Sequence, residues 1–461
     1  MLPDKMILSS LIRGWNLDAS NTGELIIGGC NALELGNIYG TPLHVVNEAR
    51  LRGTAYSFLE TIKSRYPGKI SVHYAFKCNP VPGIIKIIKE EGIKAEVMSE
   101  YELKLALKLG YSGEEIIVNG PHKTDQLITA CLENNIRFIN VDSLFELENI
   151  NRICNDLNKC TEVLFRINPD FVPSGMNNGS DTGSRSGSQF GMDLKGGEVM
   201  IALEKIKGMK YILFKGFHLH IGSGIQDPVD YTRALSGLKR LLNEVDRLGF
   251  SVDVIDVGGG LGVPNSREMK TLEFLMYQGF DLLHSGKQPN RKVSFAHFAG
   301  SITKGIITLF QNKKIPELIF EPGRCITGPN QLLLIKIHQV KERKGVKKWL
   351  ITDAGIGTVT MPTYYEHHEV ILCNDIRRKA SEKVTITGPG CFSADVVYRN
   401  KLMPKVIAGE MLAILDSGAY FTSWESSFGY PRPAIVSATK GSHHLLRERE
   451  SFEHMISRDR L

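Results

Sequence analysis

The stretch ISVHYAFKCNPVPGIIKIIKEEGI, residues 70–93, carries two structural periods back to back. Its opening run, ISVHYAFK (70–77), is mostly apolar and rich in aromatic and β-branched residues, the composition of a short buried strand. Its second half, PGIIKIIKEEGI, spaces apolar residues three and four apart with lysine and glutamate between them, the pattern of a helix lying on a sheet. A strand followed by the helix that covers it is the unit of a parallel sheet. At the junction stands Lys77, and lysine is among the residues least often buried without a partner.

Outward from this unit the alternation continues between about residues 50 and 325. Seven more strand-like runs follow: KAEVMS (94–99), EEIIVNG (114–120), IRFINVDS (136–143), TEVLFRIN (161–168), FKGFHLHIG (214–222), SVDVIDVGG (251–259) and ELIFEPG (317–323). Eight β-α units in roughly 250 residues match a (β/α)8 barrel. A doubly wound sheet divided between two domains is the alternative that the pattern leaves open. From about residue 330 strands succeed one another without long helices: LLLIKIHQV, KKWLITDAG, HEVILCN, EKVTITG, EMLAILDSG and AIVSATK. GELIIGG and TPLHVVNE near the beginning are strand-like too. The expected organisation is therefore a barrel over 48–325 and a β domain built from 1–47 and 326–461. Residues 173–188, PSGMNNGSDTGSRSGS, have the composition of a mobile loop.

Composition narrows the function. Hydrophobic residues at 42% and charged residues at 23% describe an ordinary globular chain of 461 residues. The net charge of +6 is the difference between 56 basic and 50 acidic residues, without a long single-sign block, and gives no basis for a nucleic-acid partner. Eight cysteines form no CxxC pair, which argues against a zinc ribbon or a secreted disulfide scaffold. The beginning lacks the pattern of a signal peptide, and no stretch is apolar enough to span a bilayer. A cytoplasmic protein without a membrane partner is expected.

In an α/β barrel the chemistry collects where the strands end. Lys77, Glu96 with Ser99, Asn119, Asp142 and Asn168 end the first five runs; His220 and Ser223 close the sixth. GGGLG (258–262) follows the seventh and EPGR (321–324) the eighth. Any one of these has a bland reading as a solvated or satisfied residue, but all converge on one rim. The glycine run lacks the GxGxxG spacing of a dinucleotide loop and suits a single phosphate, through Gly259 and Gly260. Arg324 reads either as a partner for phosphate or carboxylate or as one half of a structural salt bridge. A lysine, a phosphate cradle and a carboxylate on one rim point to pyridoxal phosphate, whose aldehyde reacts with a lysine amine. On this reading Lys77 is buried because it holds a cofactor.

YAFKCNP (74–80), RINPD (166–170), HLHIGSG (218–224), DVGGGLG (256–262), EPGR, DAG (353–355), GPGC (388–391) and GAY (418–420) occur in the order found in one family. With these motifs the sequence resembles the barrel-type pyridoxal-phosphate decarboxylases, the family of diaminopimelate decarboxylase and eukaryotic-type ornithine decarboxylase. The match runs from YGTPLHVVNEARLR (39–52) to GAYFTSWESSFGYPRP (418–433), and it implies an alanine-racemase-like barrel with an appended β domain. By resemblance, Lys77 joins the cofactor aldehyde and His220 stacks on its ring. Ser223, Gly259, Gly260, Gly323, Arg324 and Tyr420 attend the phosphate. Glu321 bonds the ring nitrogen, where racemase relatives carry an arginine. Cys391 donates a proton as general acid from the partner subunit of a homodimer. No metal enters this chemistry.

The substrate-reading segments depart from diaminopimelate decarboxylase. Met361 stands where an arginine meets a substrate carboxylate, while Tyr365 still matches; Phe392 stands where a glutamate reads the distal amino group. Neither replacement can make the polar contact that is lost. Arg324, Asp395 and the cluster Glu366-His367-His368 are the remaining candidate readers, with a structural Asp395 and an exposed histidine loop as the alternatives. A diamino acid other than meso-diaminopimelate is expected. INVDSLFELE (139–148), EPGRCITG (321–328) and the ending SFEHMISRDRL resemble the D-ornithine and D-lysine branch, and a specialised-metabolite or carrier-tethered substrate is also consistent. The alternatives are meso-diaminopimelate itself, a racemase or decarboxylation-dependent transaminase, and a catalytically dead partner-binding homologue.

Overall fold

The computed structural model describes residues 17–174, 176, 181–263, 267–280, 293–360 and 366–460. They form two compact units, one from Ala55–Gly262 and Arg291–Cys325, the other from the described parts of Met1–Thr54, Val263–Asn290 and Ile326–Leu461. Relative to the expected division, 48–54 and the described part of 263–290 sort with the second unit. The bonding of the later segment agrees: Arg267–Glu268 pairs antiparallel with Glu366–His367, and the Arg399 N–H donates to the Tyr277 hydroxyl.

In the first unit eight strands run parallel: β1 (Ile70–Ala75), β2 (Lys94–Val97), β3 (Ile116–Val118), β4 (Phe138–Val141), β5 (Thr161–Asn168), β6 (Ile212–His218), β7 (Val254–Asp256) and β8 (Glu317–Phe320). Each pairs with the next, and β8 returns to β1 through Leu318 opposite Ile70, so the ring closes. Closure excludes the doubly wound alternative, which needs two free edges. The helix after β1, Pro82–Glu90, opens on a proline and buries Ile84, Ile85, Ile87 and Ile88, as its spacing predicts. Ser99, expected on the functional rim, instead caps the next helix, Glu100–Lys108, by accepting the Glu102 N–H. Ser143 does the same for Leu144–Leu157.

Strand period sets what fills the barrel. Ile117, Phe138, Leu164, Val254 and Ile319 form one buried cluster. Two residues further along their strands, and hence facing the same way, come Asn119, Asn140, Arg166, Asp256 and Glu321. An apolar plug therefore lies beneath a polar layer at the C-terminal end. Register places Arg166 and Asp256 on either side of His218.

The second unit is a β domain whose axis is the long strand Gln331–Arg343. Its first residues pair with Leu43–Asn47, its middle with Met411–Ile414 and its end with Lys347–Thr352. Ala434–Thr439 lies parallel to Leu43–Asn47, so the early segment TPLHVVNE joins the sheet as expected. GELIIGG does not. Its strand, Leu25–Ile27, belongs to a separate three-stranded sheet with Asp18–Ala19 and Cys30–Asn31. Among the described residues no helix is long and apolar enough to cross a membrane.

Candidate active site

Lys77 lies in a single 3-10 turn, Phe76–Cys78, just past β1. It is not buried as expected: the apolar run stops at Phe76, the turn lifts the side chain, and a third of it (34%) stays exposed. Its ammonium lies 2.7 Å from Glu96 Oε2 at the end of β2. Asn119 then links two carboxylates, its Nδ2 donating to Glu96 Oε1 at 2.9 Å and to Glu321 Oε1 at 2.7 Å. Asn140 donates to Asn119 Oδ1 at 2.5 Å, which fixes the amide end that faces the acids. Behind them the fully buried Lys123 donates to Gly120 O, Asn140 O and both oxygens of Glu146. Glu146 also accepts the Asp142 N–H, so this pair fastens the ends of β3 and β4.

On the other side of Glu321, His218 Nε2 approaches Oε2 at 3.3 Å. Asp256 Oδ1 accepts the Gly258 N–H at 2.8 Å, and its carboxyl lies within 4.8 Å of both His218 and Glu321. Burial, and then the charge of Glu321, push the Asp256 carboxyl well above the usual range. Burial also opposes the charge on Glu321, yet His218 and Lys77 outweigh it and hold Glu321 below that range. Arg166 lies 3.6 Å from Asp142 and stacks on Phe190 at 4.5 Å.

His220 faces the glycine loop, its Nδ1 accepting the Gly259 N–H at 3.2 Å, so the proton of the neutral ring sits on Nε2. Burial, followed by the charges of Arg166 and Lys77, lowers it to about 3. The loop admits no side chains. A Cβ on Gly259 would stand 2.2 Å from Glu321 O, and one on Gly260 2.0 Å from Gly222 O. Ser223 follows Gly222 and is half-buried. Gly323 packs on the lysine turn, where a Cβ would meet Cys78 Cβ at 2.8 Å, and the buried Arg324 opens the short helix Arg324–Thr327. The described part of the 173–188 segment docks beside this loop: Thr182 donates to His220 O, and Asp181 accepts the N–H groups of Gly183 and Ser184.

The remaining candidates belong to the sheet unit. Cys391 and Phe392 are exposed, the phenyl ring meeting Phe428 edge-on at 6.0 Å. Asp395, expected as a reader of substrate or as a structural residue, is buried with its oxygens accepting the N–H groups of Ile356 (2.6 Å) and Gly390 (2.8 Å), so it ties its own loop to the one at Ile356. Nor do Glu366, His367 and His368 form an exposed loop. His368 bridges Glu366 and Leu415 O, and His367 meets the Tyr398 hydroxyl, all of them buried because the neighbouring strands cover them. Tyr420 adopts φ +64° and caps Phe421–Trp424. Met361 and Tyr365 lie outside the described residues.

Sequence reasoning did not single out Asn140, His218, Asp256 or Arg166 as site residues; the last three entered only inside the motifs HLHIGSG, DVGGGLG and RINPD. Their signal was a polar residue at an inward position of an apolar run, as in FINV and VID. At the opposite mouth a cavity of about 560 Å3 is lined by Lys69, Lys94, Arg137, Lys215, Asp253 and Glu317 among others. Arg137 and Lys69 both pair with Glu317 there, and none of the expected site residues reaches it.

Residues 53–328 match the family model described as "Pyridoxal-dependent decarboxylase, pyridoxal binding domain", and 287–418 match its "C-terminal sheet domain". The chain is 32% identical over 442 residues to the diaminopimelate decarboxylase of Methanocaldococcus jannaschii, covering 95% of each chain. It is 30% identical over 447 residues to that of Bacillus subtilis, again over 95% of each. The crystal structure of the M. jannaschii diaminopimelate decarboxylase in complex with L-lysine superimposes with a TM-score of 0.84 at 31% identity, over 96% of this chain and 98% of that one.

Proposed function

This chain belongs to the pyridoxal-dependent decarboxylases, and we propose that it removes CO2 from a diamino acid other than meso-diaminopimelate. It is a carboxy-lyase that uses pyridoxal phosphate. The donor set fits that cofactor: a half-buried amine, a charged buried carboxylate, a neutral imidazole and a glycine loop too tight for side chains. When bound, pyridoxal phosphate supplies a sink for the electron pair left by departing CO2.

The observation that carries the reading is the Asn119 amide, with the partner of Lys77 on one bond and Glu321 on the other. A pyridine ring presents its aldehyde and its nitrogen on opposite sides, which suits an amine and a carboxylate held apart in this way. Lys77 would hold the cofactor through its aldehyde, and Glu321, kept ionised, would accept a hydrogen bond from the protonated ring nitrogen. Neutral His220 would lie against the ring without adding charge. Gly259, Gly260, Ser223, Gly323 and Arg324, with Tyr420, would hold the phosphate. Cys391 Sγ delivers the proton to the substrate carbon from the partner subunit of a homodimer, a role that its exposure supports.

Phe392 and Met361 carry the choice of substrate, since neither can bond an ammonium or a carboxylate. Meso-diaminopimelate is the second reading, favoured by relatives that match over nearly the whole chain. CO2 release from meso-diaminopimelate, both enantiomers of ornithine, lysine and arginine, and glutamate decides between them. Preference for one of the shorter diamino acids is expected. Turnover of meso-diaminopimelate at least as efficient as every other compound overturns the proposal.

A further inference from the structure

Asp256 has no role in the chemistry above, yet it is fully buried at the end of β7, level with His218 on β6 and close to Glu321 beyond β8. One of its oxygens accepts the Gly258 N–H. Among the described residues no donor reaches the other, Oδ2. Within 4.8 Å of this carboxyl stands the Glu321 carboxylate, which already accepts from Asn119. Two ionised carboxylates in contact and away from water are strongly disfavoured, whereas a single proton between them satisfies both. The titratable and charged groups around Asp256 are Glu321, His218, Glu96 and Arg166.

We propose that Asp256 is a neutral carboxylic acid whose Oδ2–H donates to Glu321, making it a positioning residue that keeps Glu321 ionised, oriented and tied to the glycine loop. Its two bonds join the carboxylate assigned to the ring nitrogen with the loop assigned to the phosphate, so cofactor binding senses both through one side chain. The elevated affinity of this carboxyl for its proton agrees. The consequence for catalysis rests on the reading of Glu321 given above; the protonation does not.

Asn is the isostere of a neutral aspartic acid, with one acceptor and one donor in the same places. Asp256→Asn should therefore fold and bind pyridoxal phosphate, with a smaller loss in cofactor affinity and in kcat/KM than Asp256→Ala. Asp256→Ala removes both bonds and should bind the cofactor about ten- to a hundredfold more weakly. In the infrared difference between wild type and Asp256→Asn, with and without cofactor at neutral pH, a protonated carboxyl band should be lost. Loss of a carboxylate band instead, failure of the Asn variant to fold, equal defects in the Asn and Ala variants, or a divalent cation copurifying on these side chains would each overturn the proposal. If instead Glu321→Gln leaves cofactor affinity and turnover unchanged while the wild-type band is present, it is the reading of Glu321 that fails.

Discussion

At the scale of single residues the site depends on amides and acids whose donors and acceptors match one for one. Asn119 is the clearest case, because its Nδ2 serves two carboxylates while Asn140 holds its oxygen. Leucine at that position would leave Glu96 and Glu321 each short of a donor in a buried setting, a loss of about 1.5–3 kcal/mol by the usual value of a hydrogen bond to a charged group. Asn119→Leu should lower kcat/KM about ten- to a hundredfold with the fold intact by circular dichroism. A loss under about twofold would remove the amide bridge from the mechanism. Asn119 stood out in the sequence because it follows an apolar run. Asn140 did not, since a polar residue inside FINV also reads as an outward position of the strand, and only its neighbours settle which way it points.

At the scale of elements, the helix Glu100–Lys108 shows how a terminus near the site acquires a pH dependence. Ser99 caps it, and Glu102 in its first turn accepts the Met98 N–H at 2.8 Å. Burial, then the nearby charge of Glu96, raise the Glu102 carboxyl to about 7. The folded state therefore holds this proton more tightly than the unfolded chain, so the stability it contributes is full below about 4.5 and is lost as pH rises through about 7. Glu102→Gln should flatten the stability profile across that window and raise stability at pH 8 by about 1–3 kcal/mol. Denaturant midpoints measured against pH test it, and parallel profiles for the two proteins would refute it. The cap itself was legible as a serine three residues before a glutamate, although its place at a strand end also gave it the look of a functional residue.

At the scale of the whole molecule, two compact units carry different parts of the proposed chemistry. Lys77, His220 and Glu321 belong to the barrel unit, while Cys391 and Tyr420 belong to the sheet unit. If the thiol acts across a homodimer, mixing Lys77→Ala and Cys391→Ala subunits, each inactive alone, should restore about a quarter of wild-type activity at equal amounts, since half of the dimers are mixed and each has one intact site. Confirmed subunit exchange without recovery would place the thiol in its own subunit's site. The sequence by itself determined the class of fold and the order of its parts, because alternation of strand and helix periods is a local property that survives without neighbours. It also marked most of the rim, because strand ends and glycine runs are visible along the chain. Only the tertiary structure decided that Asp256 lies near Glu321, that Asn119 joins two acids, and that Asp395 and His368 tie their own segments to Ile356 and Leu415. A period of two says which way a side chain faces along its own strand; the neighbour it meets depends on register and on closure of the ring, which no single segment contains.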